Sequence, residues 1–242
     1  MTGLFTKHPL VKICGITQAD TITEIVERRL SVDWLGFVFA PSRRQVAPSR
    51  WQELAGLIPS DIKTVGVFVD PALEEIAAVF NTARLDIVQL HSEASPAFCQ
   101  RVKEQFGCQL IKVFGINEPG GMQHNSDNPC DDEEYKISSV LDSYLGIVDY
   151  VLLDTVTTSQ AGGTGKAFAW DEMTPYRAWC ETHGLPLIVA GGINERNVAE
   201  LVRKYNPDGI DVSSGVETDG RKDADKIQTL IERALCDERS RA

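Results

Sequence analysis

Eight short apolar, β-rich runs recur along the chain, and their rhythm leaves few folds open. They lie at 11–16, 34–39, 64–69, 87–91, 109–116, 150–155, 186–193 and 209–216, so successive runs start 22 to 41 residues apart. Each is hydrophobic almost throughout, with little polar alternation. That is the pattern of parallel strands covered on both faces.

Helical periodicity fills the intervals. Ile22, Ile25 and Val26 share one helical face, as do Trp51, Leu54, Ala55 and Ile58, and again Leu73, Ile76, Ala77 and Phe80. Val198, Leu201, Val202 and Tyr205 repeat the pattern, and Ile227, Leu230, Ile231, Ala234 and Leu235 carry it to the end. Pro48 and Pro96 sit where helices should start, and Asn194 reads as an N-cap with Asn197 three residues on. Eight strand–helix units in 242 residues predict a single α/β domain, a (β/α)8 TIM barrel. The rival is a doubly wound open sheet, with fewer strands and a glycine-rich turn after the first. Here the first run leads into CGITQAD, with no GxGxxG.

The longest interval holds a polar, acidic insertion near 117–134, with Asp131, Asp132, Glu133 and Glu134 leading into a helix expected over 133–145. The tail 237–242 is expected to fray. No uncharged apolar run approaches the ~20 residues of a membrane span, and the N-terminal stretch MTGLFTKHPLVK lacks the apolar core of a secretory signal. Six cysteines show no CxxC spacing and the four histidines are scattered, so no metal site is predicted. These features predict a cytoplasmic protein with reduced cysteines. A net charge of −11 argues against nucleic acid as a partner. It also means that an anionic ligand must be captured by local groups against a repulsive overall field.

In a (β/α)8 barrel the chemistry sits at the C-terminal ends of the strands. That rule selects Cys14, the APSRR segment with Arg44, Gln89 and His91, Asp154, Gly191-Gly192, and the run Asp211-Val212-Ser213-Ser214-Gly215. Loops after the last two strands often hold phosphate in this fold. Gly191 and Gly192 allow close backbone approach, and Ser213 and Ser214 offer N–H groups and hydroxyls. QAGGTGK at 160–166 fails the Walker A pattern at Gln160 and Ala167, so its glycines (Gly162, Gly163, Gly165) read as a lid or backbone cradle. Cys14, two residues after Lys12, is either a small core residue or a reactive thiolate. Asp154 ends an otherwise apolar strand, where a carboxylate is costly unless used or paired. Arg44 is either a solvated surface charge or a planar clamp for a carboxylate.

These residues fall within ordered motifs: KICGIT at 12–17, GFVF at 36–39, SRR at 42–44, VGVFV at 65–69, QLH at 89–91, LLDT at 152–155, GGTGK at 162–166, AGGI at 190–193 and DVSSGVE at 211–217. Together they closely resemble the phosphoribosylanthranilate isomerases of tryptophan biosynthesis, over about 11–223. The resemblance implies a monomeric or homodimeric barrel acting on a small phosphosugar by an Amadori rearrangement, with no cofactor. It implies that Cys14 is the general base and Asp154 the general acid. It further implies that Arg44 contacts the substrate carboxylate, while Gly191, Gly192, Ser213 and Ser214 hold the phosphate. The chemistry suits the residue types. Ring opening needs a protonated acid at the furanose oxygen, and the resulting Schiff base carries an acidified C2′–H that a thiolate removes.

Other barrels that act on phosphosugars fit less well. Pentose-phosphate epimerases carry metal-ligating His and Asp at several strand ends, and the histidine-pathway isomerase has an aspartate where this chain has Cys14. A non-catalytic phosphate binder would not need both Cys14 and Asp154. A thiol redox sensor would need a resolving cysteine near Cys14 in sequence.

Overall fold

A computed structural model describes residues 8–91, 93–117, 133–156 and 170–235. Its eight parallel strands are β1 (Leu10–Cys14), β2 (Trp34–Val38), β3 (Lys63–Val69), β4 (Ile87–His91), β5 (Gln109–Asn117), β6 (Tyr150–Val156), β7 (Leu187–Val189) and β8 (Gly209–Val212). They are hydrogen-bonded in chain order, and β1 pairs with both β2 and β8, which closes the barrel. The helices α1 (Ala19–Glu27), α2 (Pro48–Ala55), α3 (Leu73–Phe80), α4 (Pro96–Phe106), α5 (Glu133–Asp142), α6 (Thr174–His183), α7 (Val198–Tyr205) and α8 (Ala224–Leu235) follow the strands in turn. The expected (β/α)8 TIM barrel is thus the observed fold. Pro48 and Pro96 are the first residues of α2 and α4.

The period-two alternation of a strand divides the core in two. Val11, Ile13, Leu35, Phe37, Val88, Leu90, Val151, Leu153, Ile210 and Val212 point outward and pack under the helices. Trp34, Val65, Val67, Ile87, Ile111, Val113, Leu152, Ile188 and Ala190 fill the barrel interior, with Leu10, Cys14, Val38 and Tyr150 packed against them. The same alternation puts Lys12, Gln89, His91, Asp154, Asp211 and Ser213 on the inner face.

Four elements differ from expectation. The apolar runs at 186–193 and 209–216 are longer than the strands they contain. β7 stops at Val189 because Gly191 and Gly192 adopt φ of 91° and 63°, left-handed values that L side chains rarely take. β8 stops at Val212, and Ser214–Val216 forms one 3-10 turn. Asn194 is not the cap of α7, which begins at Val198 next to Asn197. Instead the Asn194 side chain accepts from the Arg196 N–H, while Asn197 Oδ1 accepts from the Asn194 N–H. α5 ends at Asp142, short of the expected 145. A hairpin, β9 (Glu217–Thr218) and β10 (Arg221–Lys222), follows β8. Its tight turn has Asp219 and Gly220 at φ of 52° and 77°, the primed geometry that favours Asp-Gly.

Most of the insertion near 117–134, the glycines Gly162, Gly163 and Gly165, and the tail 237–242 lie outside the described residues. Among the described residues no helix is long and apolar enough to cross a membrane.

Candidate active site

The strand ends bring the sequence-selected groups to one rim. Cys14 closes β1 beside Gly36 of β2, and Asp154 lies near the end of β6 beside Gly115 of β5. Each thus has a glycine as its ladder neighbour. Gly36 is required there, because a Cβ would come within 2.9 Å of Cys14 Sγ. Both Cys14 and Asp154 are half-buried.

Beneath Cys14 lies an ion pair that the strand-end rule did not pick out as a pair. Lys12 Nζ is 2.7 Å from Asp211 Oδ2, and the Lys12 side chain is fully buried. The pair follows from the β1–β8 register, which sets Lys12 opposite Asp211. Burial works against the charge on Lys12, but Asp211 and the Cys14 sulfur outweigh it and hold Lys12 above the ordinary lysine range. Burial also pushes the Cys14 thiol up; Lys12 opposes this and Asp211 adds to it. Burial therefore favours the thiol form of Cys14.

Across the barrel, Gln89 Nε2 and His91 Nε2 lie 3.0 Å apart. Burial, reinforced by the Lys12 charge, pulls His91 down to about 4, so its imidazole is neutral at neutral pH. Two buried acceptors on the inner face, Gln89 Oε1 and Asp211 Oδ1, have no hydrogen-bond partner among the described residues.

Arg44 reaches the rim, and its stem lies over the end of β1: a Cβ on Gly15 would sit 2.4 Å from Arg44 Cδ. Its fork is not open. Arg44 Nε and Nη2 donate to Glu217 Oε1 and Oε2 at 2.7 and 2.9 Å. Arg43 Nη2 and Lys222 Nζ reach the same carboxylate at 3.1 and 2.7 Å. Burial alone would raise Glu217, but the bonds from Arg44 and Lys222 outweigh it and hold it at about 2. Three cations around one carboxylate leave this part of the rim positive on a chain whose net charge is −11. Glu217 and Lys222 were not singled out from the sequence. Glu217 is the last residue of DVSSGVE, and the Asp-Gly turn that folds the hairpin back is the signal that could have placed Lys222 beside it.

The loops after β7 and β8 meet as expected, with one difference. Gly192 O accepts from Asn194 Nδ2 and Asn197 Nδ2, both at 3.0 Å, which fixes the glycine turn. A Cβ on Gly215 would lie 1.9 Å from Ile193 O, so the two loops pack backbone to backbone. Ser214 is exposed. The Ser213 hydroxyl, however, donates to Cys14 O at 3.0 Å and accepts from Lys222 Nζ at 3.2 Å. It ties β8 to β1 instead of standing free for a ligand. Among the described residues no three His, Cys, Asp or Glu side chains converge as a metal site would require.

The chain as a whole is similar to known proteins. Residues 11–233 match the family described as N-(5'phosphoribosyl)anthranilate (PRA) isomerase. An N-(5'-phosphoribosyl)anthranilate isomerase of Brevibacillus brevis is 42% identical over 228 residues, covering 94% of each chain. The crystal structure of phosphoribosyl anthranilate isomerase from Thermotoga maritima is 33% identical with a TM-score of 0.74, covering 93% of this chain and 98% of its own. Another crystal structure of a phosphoribosyl anthranilate isomerase holds reduced 1-(o-carboxyphenylamino)-1-deoxyribulose 5-phosphate. It is 31% identical with a TM-score of 0.71, over 93% of this chain and 98% of its own. On this sequence and structural evidence the chain belongs to the N-(5'-phosphoribosyl)anthranilate isomerase family.

Proposed function

We propose that the protein catalyses the Amadori rearrangement of N-(5-phosphoribosyl)anthranilate to 1-(2-carboxyphenylamino)-1-deoxyribulose 5-phosphate, in the cytoplasm and as a monomer or homodimer. The reaction is general acid–base catalysis and uses no cofactor. The observation that carries this reading is the placement of Cys14 and Asp154 on the inner face of one rim, three strands apart around the barrel.

The chemistry runs in two steps. Asp154, as the acid, protonates the furanose oxygen and opens the ring to a Schiff base. Cys14, as the thiolate, takes the C2′ proton, and the resulting enolamine tautomerises to the ketone. His91 is a poor alternative acid because its imidazole is neutral. Glu217 holds the Nε–Nη2 edge of Arg44, which leaves the Nη1 end to meet the anthranilate carboxylate. The phosphate is held by Gly191, Gly192 and Ser214 and by the backbone at Ser213. Gln89 Oε1 and Asp211 Oδ1 are the acceptors available to sugar hydroxyls.

Freshly prepared phosphoribosylanthranilate tests the proposal through its anthranilate fluorescence. The purified protein should make the signal decay well above the spontaneous rate. Decay no faster than in buffer would overturn the assignment.

A further inference from the structure

The barrel interior below the rim is largely apolar, and Lys12 and Asp211 form an ion pair within it. A buried ion pair is a poor source of stability, since well-packed apolar residues of similar volume are often as good or better. Yet Val67, Val113, Leu152 and Ala190 share the interior with Lys12 and Asp211. The pair is aimed at the sulfur. The point that a Gly36 Cβ would occupy is 2.9 Å from Cys14 Sγ and 3.2 Å from Lys12 Nζ, so both groups border the space which that glycine leaves empty. Asp211 holds the ammonium, and its second oxygen has no partner among the described residues.

We propose that Lys12 and Asp211 act as a positioning pair that sets how readily Cys14 gives up its proton, with Lys12 favouring the thiolate and Asp211 restraining it. This rests on the reading of Cys14 as the proton-abstracting group. Lys12 stays an ammonium throughout. The Cys14 proton leaves to solvent before turnover, and the proton taken from C2′ comes to rest on Sγ.

The other charged groups around the sulfur are less suited to this role. On β8, Ser213 is uncharged and bonds to Cys14 O. Arg44, above β1, is committed to Glu217. Lys222, on the hairpin, is committed to Glu217 and Ser213. His91 on β4 is neutral, and Asp154 on β6 lies on the far side of the rim. The electrostatic contributions at Cys14 have the signs the pair requires: Lys12 lowers its proton affinity and Asp211 raises it.

The test is the pH dependence of Cys14 alkylation by iodoacetamide, followed on the Cys14 peptide of the full-length protein by mass spectrometry. Lys12→Met should move the midpoint to higher pH by at least about one unit, the size expected on losing an opposite charge within ~4–6 Å. Asp211→Asn should move it to lower pH. If Lys12→Met does not fold, the direction of the Asp211→Asn shift decides. Shifts of the same sign, or an Asp211→Asn midpoint equal to or above wild type, would overturn the pair's role. The kcat–pH profile separates this from the proposed function. Its rising limb should follow the alkylation midpoint. Opposite midpoint shifts with an unmoved kcat profile uphold the pair and refute Cys14 as the base.

Discussion

At the scale of single residues, the rim depends on charges held by other charges. Arg44 is oriented by Glu217 before any substrate arrives, so removing Arg44 should weaken binding more than chemistry. Arg44→Ala is expected to raise KM by roughly 10–100-fold, the cost of about 1.5–3 kcal/mol for a charged hydrogen bond, with a much smaller change in kcat. Steady-state kinetics check this, and a selective fall in kcat would contradict it. Glu217 also links the site to acid stability. Its folded pKa of about 2 lies below the ordinary carboxylate value of 4.5, so its stabilisation is present above 4.5 and is lost as pH falls towards 2. Its size is about 3 kcal/mol. His91 acts in the same direction between 6.5 and about 4, because the unfolded chain takes up its proton first. Denaturant melts across pH 2–5 should therefore show a shallower loss of stability for Glu217→Gln than for wild type. Equal slopes would contradict the assignment.

At the scale of elements, the strands were legible because both faces are buried. Continuous apolarity therefore marked each run, and β4 begins and ends where it was expected. The ends of β7 and β8 were not legible. Ile193 and Val216 are buried too, so the hydrophobic signal continues through loops that the hydrogen-bonded ladder has already left. Cys14, Asp154 and Arg44 were legible as strand-end or loop residues. The Lys12–Asp211 pair joins residues 199 apart in sequence, and only the closing β1–β8 register brings them together. Ser213 was legible as a rim residue, but its commitment to Cys14 O depends on that same closure. The contact between the loops after β7 and β8 makes its own prediction. Gly215→Ala puts a methyl against the backbone of Ile193, which cannot yield without moving the loop. It should raise KM for the phosphosugar and lower Tm, by about 2–4 °C for each kcal/mol lost. An unchanged KM and Tm would show that this contact does not shape the phosphate loops.

At the scale of the whole molecule, a chain with net charge −11 works on an anionic substrate, and only local groups reconcile the two. The overall field repels the ligand, whereas Arg43, Arg44 and Lys222 attract it at short range. Raising ionic strength from about 0.01 M to 0.15 M shortens the screening length from about 30 to about 8 Å. The long-range repulsion should weaken first, so kcat/KM should rise modestly over this range. A steep fall would show that attraction dominates at long range as well. The central claim is that one acid and one base, three strands apart around the rim, carry the rearrangement. Fluorescence-decay kinetics of Cys14→Ala and Asp154→Asn beside wild type test it most directly. Each variant should lose about 10²–10⁴-fold in kcat, the usual worth of a general acid or base, while KM changes little. Near-wild-type kcat in either variant would contradict the claim.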